Sequence, residues 1–134
     1  MKKIISIITL VIFLFIQGCN AQSEDNKTET TGATKTKVTF VELGSVNCIP
    51  CKQMQPIMKS IEEKYGDQVK VIFYDVWKDD QKKYAQQYGI KLIPTQVFLD
   101  ENGKEFFRHE GFYPEAEIDK LLQGKGLKPK NSEG

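Results

Sequence analysis

The sequence predicts an α/β domain in which a central mixed β-sheet is flanked by helices on both faces. Segments rich in β-branched and aromatic residues alternate with segments of helical periodicity, an order typical of a parallel βαβ unit. Further along, the turn residues Asp100–Gly103 separate two strand-like segments, which predicts an antiparallel hairpin. A sheet with both kinds of pairing is mixed, and residues 38–123 are enough for one small domain.

The first strand and the first helix meet at the most informative point of the chain. Val38–Leu43 (VTFVEL) is apolar, as a strand buried on both faces should be, and Gly44–Asn47 breaks it. The next segment, Cys48–Tyr65, is predicted as a helix that ends at Gly66. Its apolar residues recur at helical spacing, at Met54, Ile57, Met58 and Ile61.

The remaining elements follow from the same patterns. We predict a strand at Gln68–Val76, a helix from Lys78 to Gly89, strands at Gln96–Leu99 and Lys104–Gly111, and a final helix from Pro114. Acidic residues in the first turn and a closing glycine favour the second helix. Proline is typical of a helix start, which favours the third.

Two cysteines, Cys48 and Cys51, lie where the first strand gives way to the first helix. The unpaired N–H groups and the dipole of a helix N-terminus favour a thiolate, so Cys48 is the candidate nucleophile. Cys51 lies on the same side of the first turn and is the candidate resolving thiol. Half of a zinc site is an alternative, although only Cys19 and His109 remain as further ligands, so no metal is expected. A purely structural disulfide is another alternative, although so short a loop adds little stability.

The N-terminus is typical of an export signal. Lys2 and Lys3 precede a nearly continuous apolar run at Ile4–Ile16, which predicts a signal peptide over residues 1–18. The segment Ile16–Cys19 resembles the lipobox of bacterial lipoproteins, which implies that Cys19 becomes the lipidated N-terminus. Ordinary cleavage after Ala21 and an uncleaved membrane anchor stay open as alternatives.

Polar segments flank the predicted domain on both sides. Residues 19–37 have no apolar periodicity and predict a flexible tether, and residues 124–134 predict a disordered tail. The net charge is +1 and no basic stripe is present, so nucleic acid is not an expected partner. We expect a monomer.

Several motifs, in order along the chain, resemble the thioredoxin family over nearly all of residues 38–122. The matching features are Glu42 six residues before Cys48, the Cys48-Ile49-Pro50-Cys51 motif with Lys52 after it, Pro56, the segment Tyr88–Lys91, Ile93-Pro94-Thr95, and the late glycines Gly103 and Gly111. A single CxxC would be weak, but CxPC at a strand-to-helix junction with a later Ile-Pro-Thr is highly specific. The resemblance implies a thioredoxin fold.

The resemblance also implies site roles. A cis Ile93–Pro94 bond would present the Ile93 backbone to an extended substrate, and the predicted substrate-binding residues are Ile49, Pro50, Ile93, Pro94 and Thr95. Glu42, if buried beneath the cysteines, would have a raised pKa and could accept the proton of Cys51. The alternatives are a solvated Glu42 at the strand end and an ordinary trans Pro94 in a turn.

Three positions depart from the family pattern, and two further residues need placing. Asn47 replaces the tryptophan before the first cysteine, and Ile49 replaces the glycine of CGPC, so partner recognition and redox potential should differ. Phe73 replaces a strand lysine, which leaves Glu42 without a positive partner. Trp77 is the only tryptophan and either borders the site or packs elsewhere. His109 is expected at the surface, away from any nucleophile.

These features together predict an exported thiol-disulfide oxidoreductase, located in the periplasm or cell envelope. Its expected substrates are disulfide-containing exported proteins. By the resemblance, its electron donor is a membrane protein of the cytochrome c biogenesis type. The redox-active pair Cys48–Cys51 serves in place of a cofactor. A disulfide oxidase or isomerase, and a redox-inert binding module with the same fold, stay open as alternatives.

Overall fold

The computed structural model describes residues 35–130 of the chain. Its elements in order are β1 (Val38–Gly44), α1 (Ile49–Tyr65), a 3₁₀ turn (Gly66–Gln68), β2 (Val69–Asp75), α2 (Lys83–Gln87), β3 (Thr95–Asp100), β4 (Glu105–Glu110) and α3 (Glu115–Gly124). The four strands agree with the predicted ones to within one residue at each end, and Asp100 extends β3 into the first residue of the predicted turn.

The four strands form one mixed sheet in the order β2-β1-β3-β4. β1 pairs with β2 in parallel, whereas β1 with β3 and β3 with β4 are antiparallel. The predicted mixed sheet and hairpin are therefore confirmed. The parallel pair arises because α1 carries the chain back along the sheet between β1 and β2.

The two faces of the sheet are covered by different helices, because successive strand residues point to opposite faces. On one face, Val38 and Phe40 of β1 pack in a core with residues of α1 and α3 such as Ile61 and Ile118. On the other face, Val41 and Leu43 pack with partly buried side chains on and beside α2. Helices thus flank both faces, as the sequence predicts.

The predicted second helix begins later than expected. Its start at Lys78 is wrong, because residues 78–82 form turns and the helix covers only Lys83–Gln87. The turns are tied to the end of β2: the backbone N–H of Asp75 donates to the side chain of Gln81 at 2.8 Å, and the N–H of Trp77 donates to the Asp75 carboxylate at 3.2 Å. These bonds hold the chain in a bend that local helix propensity does not foresee.

The predicted C-terminal tail also needs correction. Residues 124–130 return to the domain, with Leu127 only 2% exposed in the core beside α1 and α3. The side-chain amide of Gln68 bonds the backbone of Lys128, and the N–H of Lys130 donates to the carbonyl of Lys64 at 2.8 Å. One apolar residue in a polar segment is enough to anchor it once a groove exists to receive the side chain.

The predicted signal peptide, the lipidation site Cys19 and the tether up to residue 34 lie outside the described residues, as do residues 131–134. Within residues 35–130, no helix is long and apolar enough to cross a membrane. The domain limits given above therefore stay a prediction on the N-terminal side.

Candidate dithiol active site

Cys48 and Cys51 form a disulfide at the junction between β1 and α1, with their Cα atoms 5.2 Å apart. Cys48 is the N-cap of α1 and has extended backbone dihedrals, which allow its carbonyl to accept the first helical bond, from the N–H of Lys52. Its own N–H donates to the carbonyl of Ser45 at 3.1 Å. The loop and helix start thus fix the backbone at the first cysteine.

The two sulfurs differ in their access to solvent. Cys48 is 9% exposed, whereas Cys51 is completely buried. The first turn of α1 contains no acidic residue, so no local negative charge opposes the positive field of the helix N-terminus at Cys48. The first cysteine is therefore the less enclosed of the two. The roles of nucleophile and resolving thiol stay predictions that this geometry suits.

Gly44, the last residue of β1, lies directly against the second cysteine. A Cβ added at Gly44 would meet Cys51 Sγ at 3.1 Å, Cys51 Cβ at 3.2 Å and the ring of Phe73 at 3.3 Å. Only a residue without a side chain lets the strand approach the disulfide this closely. The face of β1 that carries Gly44 is therefore the floor of the site.

Glu42 belongs to that same face, because it precedes Gly44 by two residues on one strand. It is completely buried, so the alternative of a solvated Glu42 does not hold. Neither carboxyl oxygen has a hydrogen-bond partner among the described residues. Burial raises the pKa of Glu42 from 4.5 to about 8, and the neighbouring Gln96 amide offsets a smaller part of that rise.

The strand neighbours of Glu42 explain why no cation opposes the rise in its pKa. Phe73 lies opposite Glu42 on β2, at the position where the family resemblance implies a lysine. Gln96 lies opposite it on β3 and is also completely buried. The Gln96 amide atoms make no hydrogen bond of good geometry to any described group. A carboxyl and an amide are thus buried side by side with their bonding capacity unused.

Gln96 and His109 are the site neighbours that the sequence analysis did not foresee. His109 lies opposite Gln96 on β4, half-buried, with its ring stacked on Tyr113 at 4.3 Å. Its Nε2 atom is 3.1 Å from the carbonyl of Phe112. A glutamine within the apolar segment TQVFL of β3 was the available indication. One row of paired residues therefore crosses all four strands: Phe73, Glu42, Gln96 and His109. We call it the polar row, because three of its four members are polar.

The loop before β3 places a cis peptide bond at Ile93–Pro94, so the trans alternative does not hold. The carbonyl of Pro94 accepts a hydrogen bond from the N–H of Gly111 at 2.8 Å. Thr95 is completely buried, and its hydroxyl donates to the carbonyl of Leu92 at 2.7 Å. Its side chain therefore braces the loop and does not face solvent. Substrate contact at Ile93 and Pro94 stays a prediction.

Five large apolar side chains are exposed around this end of the sheet, and we call them the apolar rim: Val46, Ile49, Trp77, Leu92 and Phe112. Ile49, inside the CxPC motif, is 74% exposed, and Trp77 is 62% exposed. The Asp75 carboxylate accepts the backbone N–H groups of both Val46 and Trp77, which places Trp77 beside the cysteine loop. Trp77 is therefore a surface residue at the site border and does not belong to the core.

Within residues 35–130, no group of three or more histidine, cysteine or acidic side chains is placed to hold a metal ion. The two cysteines that a half zinc site would use are bonded to each other. What the described geometry can do chemically is therefore thiol–disulfide exchange at an accessible sulfur, with a second sulfur and a carboxyl buried behind it.

Comparisons with known proteins agree with this geometry. The family model described as thioredoxin-like domain matches residues 24–125. The chain is 34% identical over 90 residues to chloroplastic thioredoxin Y of Oryza sativa, covering 65% of this chain and 50% of that protein. It is 31% identical over 75 residues to the thioredoxin of Bacillus subtilis, covering 56% of this chain and 69% of that protein.

A solved structure is similar as well. The thioredoxin of Malassezia sympodialis, described as a member of a pan-allergen family, superposes with a TM-score of 0.56 at 30% identity, covering 68% of this chain and 77% of that one. The chain spans half the length of the rice protein. The thioredoxin fold itself is confirmed.

Proposed function

This chain belongs to the thioredoxin-like domain family of thiol-disulfide oxidoreductases, and we propose that it is an exported member that reduces disulfides of proteins outside the cytoplasm. The observation that carries the proposal is the unequal burial of one bonded cysteine pair. Cys48 keeps 9% of its surface exposed at a helix start, whereas Cys51 is completely buried against Gly44 of the strand that carries the buried Glu42. A disulfide that only stabilised the fold would need no such asymmetry.

The first step of the proposed reaction uses the reduced protein. The Cys48 thiolate attacks one sulfur of a substrate disulfide, a new sulfur–sulfur bond forms, and the second substrate sulfur leaves as a thiolate that takes a proton from water. The helix N-terminus favours the Cys48 thiolate before attack, since its free N–H groups and dipole stabilise negative charge there. The product is a mixed disulfide between Cys48 and the substrate.

The second step releases the substrate. Cys51 loses its proton to the Glu42 carboxylate, its thiolate attacks Cys48, and the bond between Cys48 and the substrate breaks, so that the substrate sulfur leaves as a thiolate that takes a proton from water. Glu42 lies one pleat, about 7 Å, along β1 from Gly44, where an added Cβ would meet Cys51 Sγ. A carboxyl whose pKa is about 8 is well matched to exchange a proton with a thiol near neutral pH.

The apolar rim supports a protein substrate rather than a small charged one. Ile49, Leu92 and Phe112 expose apolar surface beside the accessible sulfur, and such surface favours the apolar side chains of an extended polypeptide. The backbone next to Pro94 can add strand-like hydrogen bonds to that polypeptide. Because Ile49 and Trp77 are both large, the rim suits bulky rather than small residues around the target disulfide.

The proposal also includes export of the protein and a membrane source of electrons. The N-terminal pattern with Lys2, Lys3 and Cys19 supports a signal peptide and a lipid anchor, which would hold the domain at a membrane through a polar tether. Each turnover leaves the protein oxidised, so two electrons and two protons must be returned. A membrane dithiol protein of the cytochrome c biogenesis type is the proposed donor, and no bound cofactor is needed.

The test of the reaction uses a matched pair of cysteine variants. In Cys51→Ser the substrate should remain attached as a mixed disulfide, whereas Cys48→Ser should neither attach substrate nor reduce it. A model protein disulfide with thiol detection measures reduction, and non-reducing electrophoresis with mass spectrometry detects the adduct. Full reducing activity in folded Cys48→Ser would show that Cys48 is not the nucleophile, and the proposed reaction fails. If the folded, unaltered protein neither reduces the disulfide nor forms an adduct, the chain is a redox-inert binding module and the proposal also fails.

The direction of the reaction is tested by the equilibrium redox potential of the Cys48–Cys51 pair in residues 35–134. The reference scale runs from about −270 mV for a reducing thioredoxin to about −120 mV for a strong oxidant. A value near the low end supports the reductase. One near the high end would make the protein a disulfide oxidase or isomerase instead.

The location is tested separately in the intact chain. We expect Cys19→Ala to abolish incorporation of a labelled fatty acid while leaving the domain folded. No labelling in the unaltered chain would favour cleavage after Ala21 or an uncleaved anchor, and unchanged labelling of Cys19→Ala would show that the lipid is attached elsewhere.

A further inference from the structure

The position of Gln96 is unusual for an uncharged polar residue. It is completely buried in a sheet, directly opposite the buried Glu42, and none of its amide atoms has a good hydrogen bond to another described group. A buried amide without a partner normally costs about 1 to 3 kcal/mol. An apolar residue such as the leucines and valines elsewhere in these strands would avoid that cost. The presence of an amide at this position therefore suggests a role other than packing.

The geometry points to Gln96 as the positioning residue for Glu42, with one amide that serves the carboxyl in both of its protonation states. Directly paired residues on antiparallel strands have Cβ atoms about 4.5 to 5.5 Å apart, within reach for two long side chains. The amide carries an acceptor oxygen and a donor nitrogen. It can therefore accept from the protonated carboxyl and, after a turn of its terminal torsion, donate to the carboxylate.

This inference rests on the proposed function, in which Glu42 takes the proton of Cys51 and gives it up again. A lysine beside the acid would favour only the charged carboxylate. Phe73 occupies the neighbouring strand position and offers no polar atom, which leaves the Gln96 side as the place where the carboxyl can find a partner. A group that bonds both states lets the carboxyl change protonation without leaving either state unpaired.

The direction of the effect follows from the strengths of the two bonds. A hydrogen bond to a charged group is stronger than one between neutral groups, so the amide favours the carboxylate on balance. This agrees with the smaller, opposing contribution of Gln96 to the pKa of Glu42. Removal of the amide should therefore make Glu42 harder to ionise and slow the release of substrate at neutral pH.

Other titratable groups near Glu42 must be followed in the same experiment. Cys51 lies on α1 against Gly44, one pleat along β1 from Glu42. Asp75 lies on β2 one pleat away, His109 ends the polar row on β4, and Tyr113 stacks on His109. Of these, only Cys51 is part of the proposed proton transfer. Titration of His109 can be observed separately through its ring signals, which keeps its contribution apart from that of Glu42.

The test compares Gln96→Met with the unaltered protein by carboxyl-carbon NMR titration of Glu42. Methionine keeps the length of the side chain and removes both polar groups. We expect the Glu42 titration to move to higher pH, and single-turnover release of substrate from Cys48 at pH 7 to slow about tenfold, with the rate recovering at high pH. Gln53→Met, at an exposed glutamine of α1, is the matched control and should change neither.

An unchanged Glu42 titration in folded Gln96→Met overturns the inference. Gln96→Leu gives a second variant if methionine prevents folding, and adding either change to Glu42→Gln should produce no further slowing. The NMR measurement does not depend on whether the protein reduces disulfides, so it can succeed where the proposed function fails. If Glu42→Gln leaves the pH profile of substrate release unchanged while Gln96→Met still shifts the titration, the role of Glu42 in catalysis is wrong and its coupling to Gln96 stands.

Discussion

Two neighbouring rows of side chains on the same face of the sheet have equal burial and opposite character. In the apolar row, Phe40 of β1 lies opposite Phe98 of β3, and their rings stack with centroids 4.7 Å apart. The polar row lies two residues further along β1, where Glu42 is opposite Gln96 of β3. All four side chains are completely buried.

The two rows contribute to the molecule in different ways: the apolar row stabilises the fold, and the polar row lies beside the disulfide and reduces stability. The apolar row removes two large rings from water and makes stacking contacts, which stabilises the fold. The polar row buries a carboxyl and an amide with unused hydrogen-bonding capacity, which reduces the free energy of unfolding. The polar row is also the one that lies nearest the disulfide, next to Gly44 and Cys51. Stability is thus lost at the place where the proposed mechanism requires proton exchange.

The largest expected effect breaks the apolar row. Phe98→Ala removes a ring that contacts Phe40, Phe106 and Phe107, and we expect the free energy of unfolding to fall by about 3 to 5 kcal/mol. Urea unfolding should show the same loss at pH 5 and pH 9, since no titratable group is changed. Phe112→Ala, at an exposed position of the apolar rim, is the control and should cost far less. A loss that depended on pH would mean that the two rows are not independent.

The second prediction concerns the pH dependence that the polar row creates. The pKa of Glu42 is raised from 4.5 to about 8 in the folded protein, so the unfolded chain loses this proton first as pH rises. Stability from this group is therefore complete below pH 4.5 and is lost progressively as pH rises through about 8. Glu42→Gln should be more stable than the unaltered protein at pH 9, by up to about 4 kcal/mol relative to their difference at pH 4.

Urea unfolding across the pH range measures this difference, with Glu62→Gln on the exposed surface of α1 as the control. A difference between Glu42→Gln and the unaltered protein that stayed constant from pH 4 to pH 9 would show that Glu42 ionises normally in the folded state.

A smaller effect is expected where the polar row meets the disulfide. Gly44→Ala places a Cβ about 3 Å from Cys51 and Phe73, so neighbouring atoms must move by a few tenths of an ångström. We expect a loss of about 1 to 3 kcal/mol and a changed redox potential of the pair. Gly124→Ala is the matched control, since its Cβ would meet nothing within 4 Å and helix propensity should make it neutral or stabilising. Equal behaviour of the two variants would mean that the floor of the site is not tightly packed.

The smallest effect lies at the edge of the site, beyond the two rows. Thr95→Val keeps the shape of the side chain and removes the hydroxyl that donates to the carbonyl of Leu92. We expect a loss of about 1 kcal/mol, together with weaker binding of a peptide trapped on Cys48. Thr39→Val, on β1 away from the loop, serves as the comparison. Stability equal to that of the unaltered protein would show that the loop before β3 is held by its other contacts.

Much of the fold and of the site could be predicted from local sequence. The four strands, the first and last helices and the position of Cys48 at a helix start follow from periodicity and from residues such as Gly66 that end a helix. The segment from Lys78 to Lys82 could not be predicted, because its bend is held by the hydrogen bond from the Asp75 N–H to the Gln81 side chain and by the turn at Trp77, rather than by its own propensity. Leu127 was missed because its burial depends on a groove between distant elements.

The sequence by itself determined the alternation of strands and helices, the dithiol at the junction and the absence of a lysine beside Glu42, because these depend on residue type and short spacing. Only the tertiary structure decided which residues share a row across the sheet. Gln96 and His109 join Glu42 through the register between strands far apart in the chain, and register is set by pairing of whole strands. The environment that raises the pKa of Glu42 therefore exists only once β1 and β3 are paired and α1 covers them.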